Sequence, residues 1–148
     1  MDDIFCTLAV TSNDLYPEES WNFVFGEANY ETRTGVFSFC RHQVTFDDPD
    51  TEMPEKEQFM HWLKESTNTM VHEIVHMFGI EHCIYYECIM NGSNGSFEEA
   101  YGEKEKTLCP HCLAKLQMNI KFDTSERHKQ LFAACQKLGF YESAKIYK

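Results

Sequence analysis

Three histidines, a glutamate and a glycine within eleven residues, HEIVHMFGIEH from His72 to His82, have the types and spacing of a hydrolytic zinc site. On a helix His72 and His76 lie one turn apart on the same face, so both imidazoles can address one ion from a rigid backbone. Glu73 is rotated about 100° from His72 and cannot reach that ion, but it can flank a water held there, which is where a general base belongs. A straight helix would carry its next ligand at position 79 or 80. Position 79 is glycine, the residue that most readily takes the left-handed conformation ending a helix, so the chain can turn and bring His82 back from a non-helical segment. Three neutral imidazoles leave a zinc ion doubly positive with one open position, which lowers the pKa of a water there from about 15.7 to roughly 7. The pattern HExxH alone recurs by chance in unrelated helices; Gly79 and His82 are further, independent requirements of the geometry. Val71, Ile74, Val75 and Phe78 form an apolar stripe about 120° round from the histidines, so one face packs while the other binds metal.

A second set of ligand types follows at once. Cys83 and Cys88 are separated by four residues, Cys109 and Cys112 by two, and twenty residues lie between the pairs. This is the spacing of a structural zinc, in which four thiolates close a tetrahedron and the ion holds the fold without performing chemistry. The other readings are two disulfides or a redox-active CPHC. No secretory leader is expected, and a reducing compartment is therefore expected to favour metal over disulfides. A thioredoxin-like motif should follow a strand in a βαβ context, and none is found around Cys109. His111 lies inside the CPHC loop, but four cysteines already complete the set, and it is expected to be exposed. Because Cys83 follows His82 directly, the structural ion is expected to brace the segment carrying the third histidine.

The run HEIVHMFGIEHCIYYECIMNG followed by LCPHCLAKLQ resembles the archaemetzincin family of the metzincin zinc peptidases, whose pattern joins the extended zinc motif to a four-cysteine zinc site. The resemblance is specific from Val71 to Gln117 and looser upstream, over DLYPEESWNFVFGEA and GVFSFCRH. It implies that His72, His76 and His82 hold a catalytic zinc and that Glu73 is the general base. It further implies that Cys83, Cys88, Cys109 and Cys112 hold a structural zinc, making two ions per chain, and that Met90 is the methionine of the turn beneath the catalytic ion. Read from the residues alone, Met90 is an ordinary core methionine, although the Asn91-Gly92 behind it is a strong turn dipeptide. The fold implied is α+β and metzincin-like: a small mixed sheet packed on an active-site helix, then a loop-rich, helical C-terminal part with the four-cysteine site. The activity implied is zinc-dependent hydrolysis of peptide bonds in peptide or protein substrates. Two departures from the family pattern stand out. The spacer between Met90 and Cys109 is eighteen residues, one longer than usual, and the chain begins almost at a strand, so a helix and a strand of the upper part are expected to be absent.

The elements that must position these residues can be read around them. With 148 residues, 43% of them hydrophobic, a single domain is expected, residues 1–79 forming an upper part and 80–148 a lower one. Ile4 to Val10, Trp21 to Phe25 and Gly35 to Arg41 read as strands, with a turn at Glu31 to Thr34. The third strand is a candidate edge for pairing with a peptide, or a plain structural strand. Asp47 to Glu57, acidic and containing Pro49 and Pro54, reads as a surface loop. A helix is expected from Phe59 to Phe78, with weak helix formers at Ser66 to Thr69 as an interruption. Residues 83–108, with Asn91-Gly92, Asn94-Gly95 and Gly102, read as an irregular loop. Pro110 to Met118 and Ser125 to Leu138 read as helices, the second capped by Asp123 or Thr124 and stopped by Gly139.

Charge and cysteine usage bound the partners. A formal charge of −11 argues against nucleic acid and anionic membrane surfaces. No apolar run approaches the roughly 18 residues needed to span a bilayer, so a cytoplasmic, monomeric protein is expected. Six basic against three acidic residues from Lys121 onward leave −14 on the first 120 residues, so basic or uncharged peptides are the expected substrates. Cys6, Cys40 and Cys135 are expected to be buried as small hydrophobes. The competing function is a catalytically inactive, zinc-stabilised protein-binding module. An open cleft across the histidines, bounded by a strand edge above and the segment after His82 below, separates a peptidase from that alternative.

Overall fold

The chain runs through β1 (Thr7–Thr11), β2 (Gly26–Asn29), β3 (Thr34–Ser38), a 3-10 turn (Cys40–His42), α1 (Val44–Asp47), α2 (Glu55–His76), α3 (Pro110–Ile120), α4 (Thr124–Leu138) and α5 (Tyr141–Ile146). The computed structural model describes residues 4–20, 22–47, 49–92 and 105–148. The architecture is the expected α+β arrangement of a small mixed sheet on a long helix. Its strand order is β1-β3-β2, with β1 parallel and β2 antiparallel to β3.

This order corrects the expectation for the third strand. β3 lies in the centre with both sides paired, Thr7 opposite Thr34 on one and Gly26 opposite Phe37 on the other, so it has no free edge for a peptide. The edge that borders the histidines is β2. It lies later in the chain than the expected Trp21 to Phe25: of that segment Val24 makes only an isolated bridge to Leu15, and Trp21 is outside the described residues. Asn29 Oδ1 accepts the N–H groups of Glu31 and Thr32 at 2.9 Å each, and Arg33 takes a left-handed φ of 53°, so the expected turn delivers the chain into β3.

Helix α2 begins four residues before the expected start and runs without a break. The Pro54 carbonyl accepts N–H groups of Glu57 and Gln58, and Glu55 and Glu57 sit in the first turn, where carboxylates favour the positive end of the helix dipole. The end of the acidic segment is therefore helix, not loop. Through Ser66 to Thr69 burial, a hydrogen bond within the helix and a contact to His42 override weak propensity. Ser66 is 1% exposed, Thr67 Oγ1 donates to the Leu63 carbonyl at 2.7 Å, and Thr69 Oγ1 is 2.9 Å from His42 Nε2. The helix ends at His76, two residues short of Phe78, and Gly79 takes a φ of +75°.

His42 joins sheet to helix, stacking on Phe25 with ring centres 4.9 Å apart while it meets Thr69. Burial, with the Lys106 and His61 charges adding to it, pushes its pKa down to about 4. A neutral imidazole is thus built in. Its contribution to stability is complete above the ordinary value of 6.5 and is lost as pH falls through about 4. That loss amounts to about 3 kcal/mol across the window. His42→Phe, which keeps the stack, should lower stability at pH 7 through the lost Thr69 contact yet lose less than the parent between pH 7 and 4.5. Urea unfolding at the two pH values reads this, and an equal acid loss in both proteins would refute it.

A hydrophobic core forms where Val75 at the end of α2 and Ile80 meet Cys83, Cys88, Ile89, Met90, Cys109, Cys112 and Leu116. Phe78 and the N-terminal Phe5 stack beside each other at 4.4 Å. Helix α3 has Cys109 as its N-cap and Pro110 in its first turn; α4 is capped by Asp123, whose carboxylate accepts the Glu126 N–H at 2.7 Å, and is stopped by Gly139 at φ 82°. Helix α5 was not foreseen. Cys6, Cys40 and Cys135 are half-buried instead of buried, since β1 is an edge strand and α4 has no fully buried residue to shelter Cys135. Asn94-Gly95, Gly102 and most of the Met90 to Cys109 spacer lie outside the described residues. Among the described residues no helix is long and apolar enough to cross a membrane.

Candidate active site

The last turn of α2 and the segment beyond Gly79 bring His72, His76 and His82 together, with Nε2 of His72 2.9 Å from Nε2 of His76 and 3.3 Å from that of His82. Backbone carbonyls set two of the tautomers. His72 Nδ1 donates to the Ile89 carbonyl and His76 Nδ1 to the Ile80 carbonyl, each at 2.7 Å. A carbonyl can only accept, so the proton sits on Nδ1 and Nε2 is left as a bare lone pair. Burial pushes His72 down to about 4 and His76 below its ordinary value, which keeps both neutral. Lone pairs facing one another at such separations repel unless a cation stands between them. Zinc–nitrogen bonds of roughly 2.0–2.1 Å place tetrahedral ligands about 3.4 Å apart, so the donor set fits a zinc ion with modest relaxation.

Glu73 stands beside these rings and is 6% exposed. Burial, and then the Glu27 carboxylate on β2, raise its pKa from 4.5 to about 7. An open cleft of about 490 Å³ passes over the site. Gly26, Glu27 and Ala28 of β2 form one wall, the turn from Gly79 to His82 forms the other, and His72, Glu73 and His76 line the space between them. The cleft is open and β2 is its strand edge, but its other boundary is the turn that ends at His82, not the expected segment after it. Tyr30 also reaches it.

The four cysteines gather as the second cluster, free of disulfides, with Cys83 Sγ 3.8 Å from Cys109 Sγ. Zinc–sulfur bonds of roughly 2.3 Å put tetrahedral sulfurs about 3.8 Å apart, so these thiols also fit an ion. Backbone N–H groups of Met90 and Cys109 point at Cys88 Sγ, and that of Cys112 at Cys109 Sγ. Backbone hydrogen bonds from Tyr85 and then Tyr86 lower the Cys83 thiol to about 7, while burial raises Cys88 and Cys112. Four thiolates can coexist here only around a cation. His111 is exposed, as expected, and apart from the cluster.

The two clusters are joined more closely than adjacency of His82 and Cys83 suggests. The Cys83 N–H donates to the Met90 carbonyl at 2.7 Å, and the next residue back, Ile89, supplies the acceptor that orients His72. Met90 has no exposed surface and sits at a turn closed by the Asn91 N–H on the Cys88 carbonyl. Asn91 clamps the loop: its amide donates to the carbonyls of Cys83 and Tyr86 and accepts from the Cys88 N–H. A side chain at Gly92 would come within 3.0 Å of His82 Nδ1. Sequence reading took Asn91 and Gly92 only as turn formers. It missed the Ile80 and Ile89 carbonyls, because backbone acceptors leave no side-chain signal, and it missed Gly26, Glu27 and Tyr30, whose role depends on which strand is the edge.

Comparison with known proteins agrees with this arrangement. The family described as "Peptidase family M54" matches residues 1–118. Human archaemetzincin-2 is 38% identical over 149 residues, covering 88% of this chain and 41% of its own length. Among solved structures, an archaemetzincin from Methanopyrus kandleri superposes with a TM-score of 0.61 at 31% identity, covering 82% of this chain and 59% of that one. A zinc-dependent peptidase from Methanocorpusculum labreanum gives 0.59 at 29%, covering 74% and 52%. The chain spans about two fifths of the length of the archaemetzincin-2 relatives it matches. With the family model matching residues 1–118 and a solved archaemetzincin sharing the fold over 82% of the chain, the chain belongs to peptidase family M54, the archaemetzincins.

Proposed function

We propose that the chain is a zinc-dependent peptidase that carries two ions, one held by His72, His76 and His82 and one by Cys83, Cys88, Cys109 and Cys112. The first supplies Lewis acidity when bound, acidifying a water and polarising a carbonyl oxygen. The chain's own residues do the rest. β2 and the turn from Gly79 to His82 hold the peptide over the histidines, and Glu73 takes a proton from the attacking water and gives it to the departing amine. Glu73, buried in the floor of the cleft next to His72 and His76, stands where a group that accepts and then releases the proton is needed. Residues 1–79 and 80–148 act as the upper and lower parts of one domain, with Gly79 as the turn between them and Met90 supporting the floor.

The observation that carries this reading is the buried Glu73 carboxyl at the floor of an open cleft, beside three converging Nε2 atoms. A binding module would have no use for a charge kept at that cost. Glu27 and Glu81 on the walls give the cleft an acidic lining, which favours basic or uncharged peptides. The test is zinc content per chain before and after mild chelation, with cleavage of a mixed peptide library followed in parallel. Two zincs, one removed together with the activity, are expected. A single tightly held zinc without cleavage would overturn the peptidase reading, and cleavage without charge bias would remove the substrate preference.

A further inference from the structure

β2 passes so close to α2 that one of its positions has no room for a side chain. A Cβ built on Gly26 lies 2.7 Å from Cγ of Glu73 and 2.9 Å from both its Cδ and Oε1. Ordinary contact between such atoms begins near 3.4 Å. Glycine is not needed here for its backbone, because Gly26 lacks the positive φ of Gly79 and Gly139 and pairs in regular register opposite Phe37. Space alone requires it. The strand cannot back away from the helix without opening its ladder to β3, where the facing Phe37 is wholly buried. Of the groups in contact, only the Glu73 side chain can move cheaply, by rotating toward the cleft.

We propose that Gly26 is a positioning residue for the general base: the missing side chain on the strand beside the cleft is the slot in which the Glu73 carboxyl stands, next to the histidine nitrogens. This rests on the role given to Glu73 above. The fold would survive a methyl group at position 26, but the carboxyl would be displaced by roughly 1 Å, a misplacement that costs about 10²-fold in rate.

The test is a cycle of four proteins: parent, Gly26→Ala, Glu73→Ala and the double variant, each measured for zinc content, melting temperature and, where active, kcat and KM. Gly26→Ala should keep the zinc content of the parent and lose about 10²-fold in kcat with KM within about twofold. It should also lower the melting temperature by a few degrees in the parent, yet leave it unchanged or raise it in the Glu73→Ala background, where the slot is empty and a strand glycine has been replaced. An equal melting loss in both backgrounds, or an unchanged kcat, overturns the proposal. A parent protein with no activity would defeat the peptidase reading instead, and the melting cycle would still decide whether Gly26 makes the slot.

Discussion

Glu73→Gln should retain the zinc content of the parent and lose roughly 10²–10⁴-fold in kcat/KM, with most of the loss in kcat. Glutamine has the shape of glutamate and fits the slot beside Gly26, so the histidine nitrogens keep their positions and the cleft its walls. What it lacks is a site for the proton. The same substitution should stabilise the protein at alkaline pH once the ion at the histidines is stripped. Glu73 has a folded pKa raised from 4.5 to about 7, by burial first and the Glu27 charge second. The folded state therefore holds the proton more tightly than the unfolded one, and stability falls as pH rises from 4.5 to about 7. The loss is about 3 kcal/mol and is complete above that range. Thermal melts of the stripped proteins at pH 5 and pH 8 should show Glu73→Gln gaining on the parent only at pH 8. A glutamine variant that cleaves peptides at the parental rate with zinc bound would remove Glu73 from the mechanism. The expected result, in which the variant loses activity and gains stability at pH 8, sets activity and stability in opposition at one side chain, as in other sites that store a buried charge for chemistry.

How far the sequence discloses this site depends on whether a residue acts through its own side chain or through its surroundings. His72, His76, His82 and the four cysteines are readable because ligand chemistry demands those side chains, and because Gly79 marks the turn that returns the third histidine. The orientation of the rings is not readable, since it comes from the carbonyls of Ile80 and Ile89, which any residue would supply. β2 is not legible in the sequence because Gly26-Glu27-Ala28-Asn29 has poor strand propensity; the four residues are extended by pairing with β3, and Gly26 is small because it meets Glu73 of α2. The identity of the edge strand follows from the order β1-β3-β2, a long-range fact that local pattern does not carry. At the start of α2 the local signal is ambiguous, because proline and acidic residues mark loops while a proline followed by glutamates is also how a helix begins.

The second large effect is expected at the other cluster. Cys112→Ser should reduce zinc to well under one ion per chain, abolish activity and unfold the lower part, whereas stripping the histidine site by mild chelation should leave the far-ultraviolet dichroism unchanged. Cys112 is 1% exposed and burial raises its thiol, so it becomes a thiolate only against a cation. A serine hydroxyl supplies no such charge. Structural zinc contributes about 10–16 kcal/mol to folding, as much as the whole stability of a typical domain at about 5–15 kcal/mol. The nearby apolar side chains cannot replace it, because four of the nine buried residues of that core are the cysteines themselves. Loss should spread to the histidines through two contacts. The loop that the cysteines hold carries the Ile89 carbonyl orienting His72, and the Cys83 to Met90 hydrogen bond fixes the residue after His82. Losing either leaves a ligand free to rotate, so the first ion should leave with the second. His72→Ala makes the opposite separation, releasing one zinc while the cysteine core and its melting transition persist. A Cys112→Ser protein that kept one zinc, its activity and a melting temperature within a few degrees of the parent would show that the two sites stand independently and that the loop needs no ion to hold it.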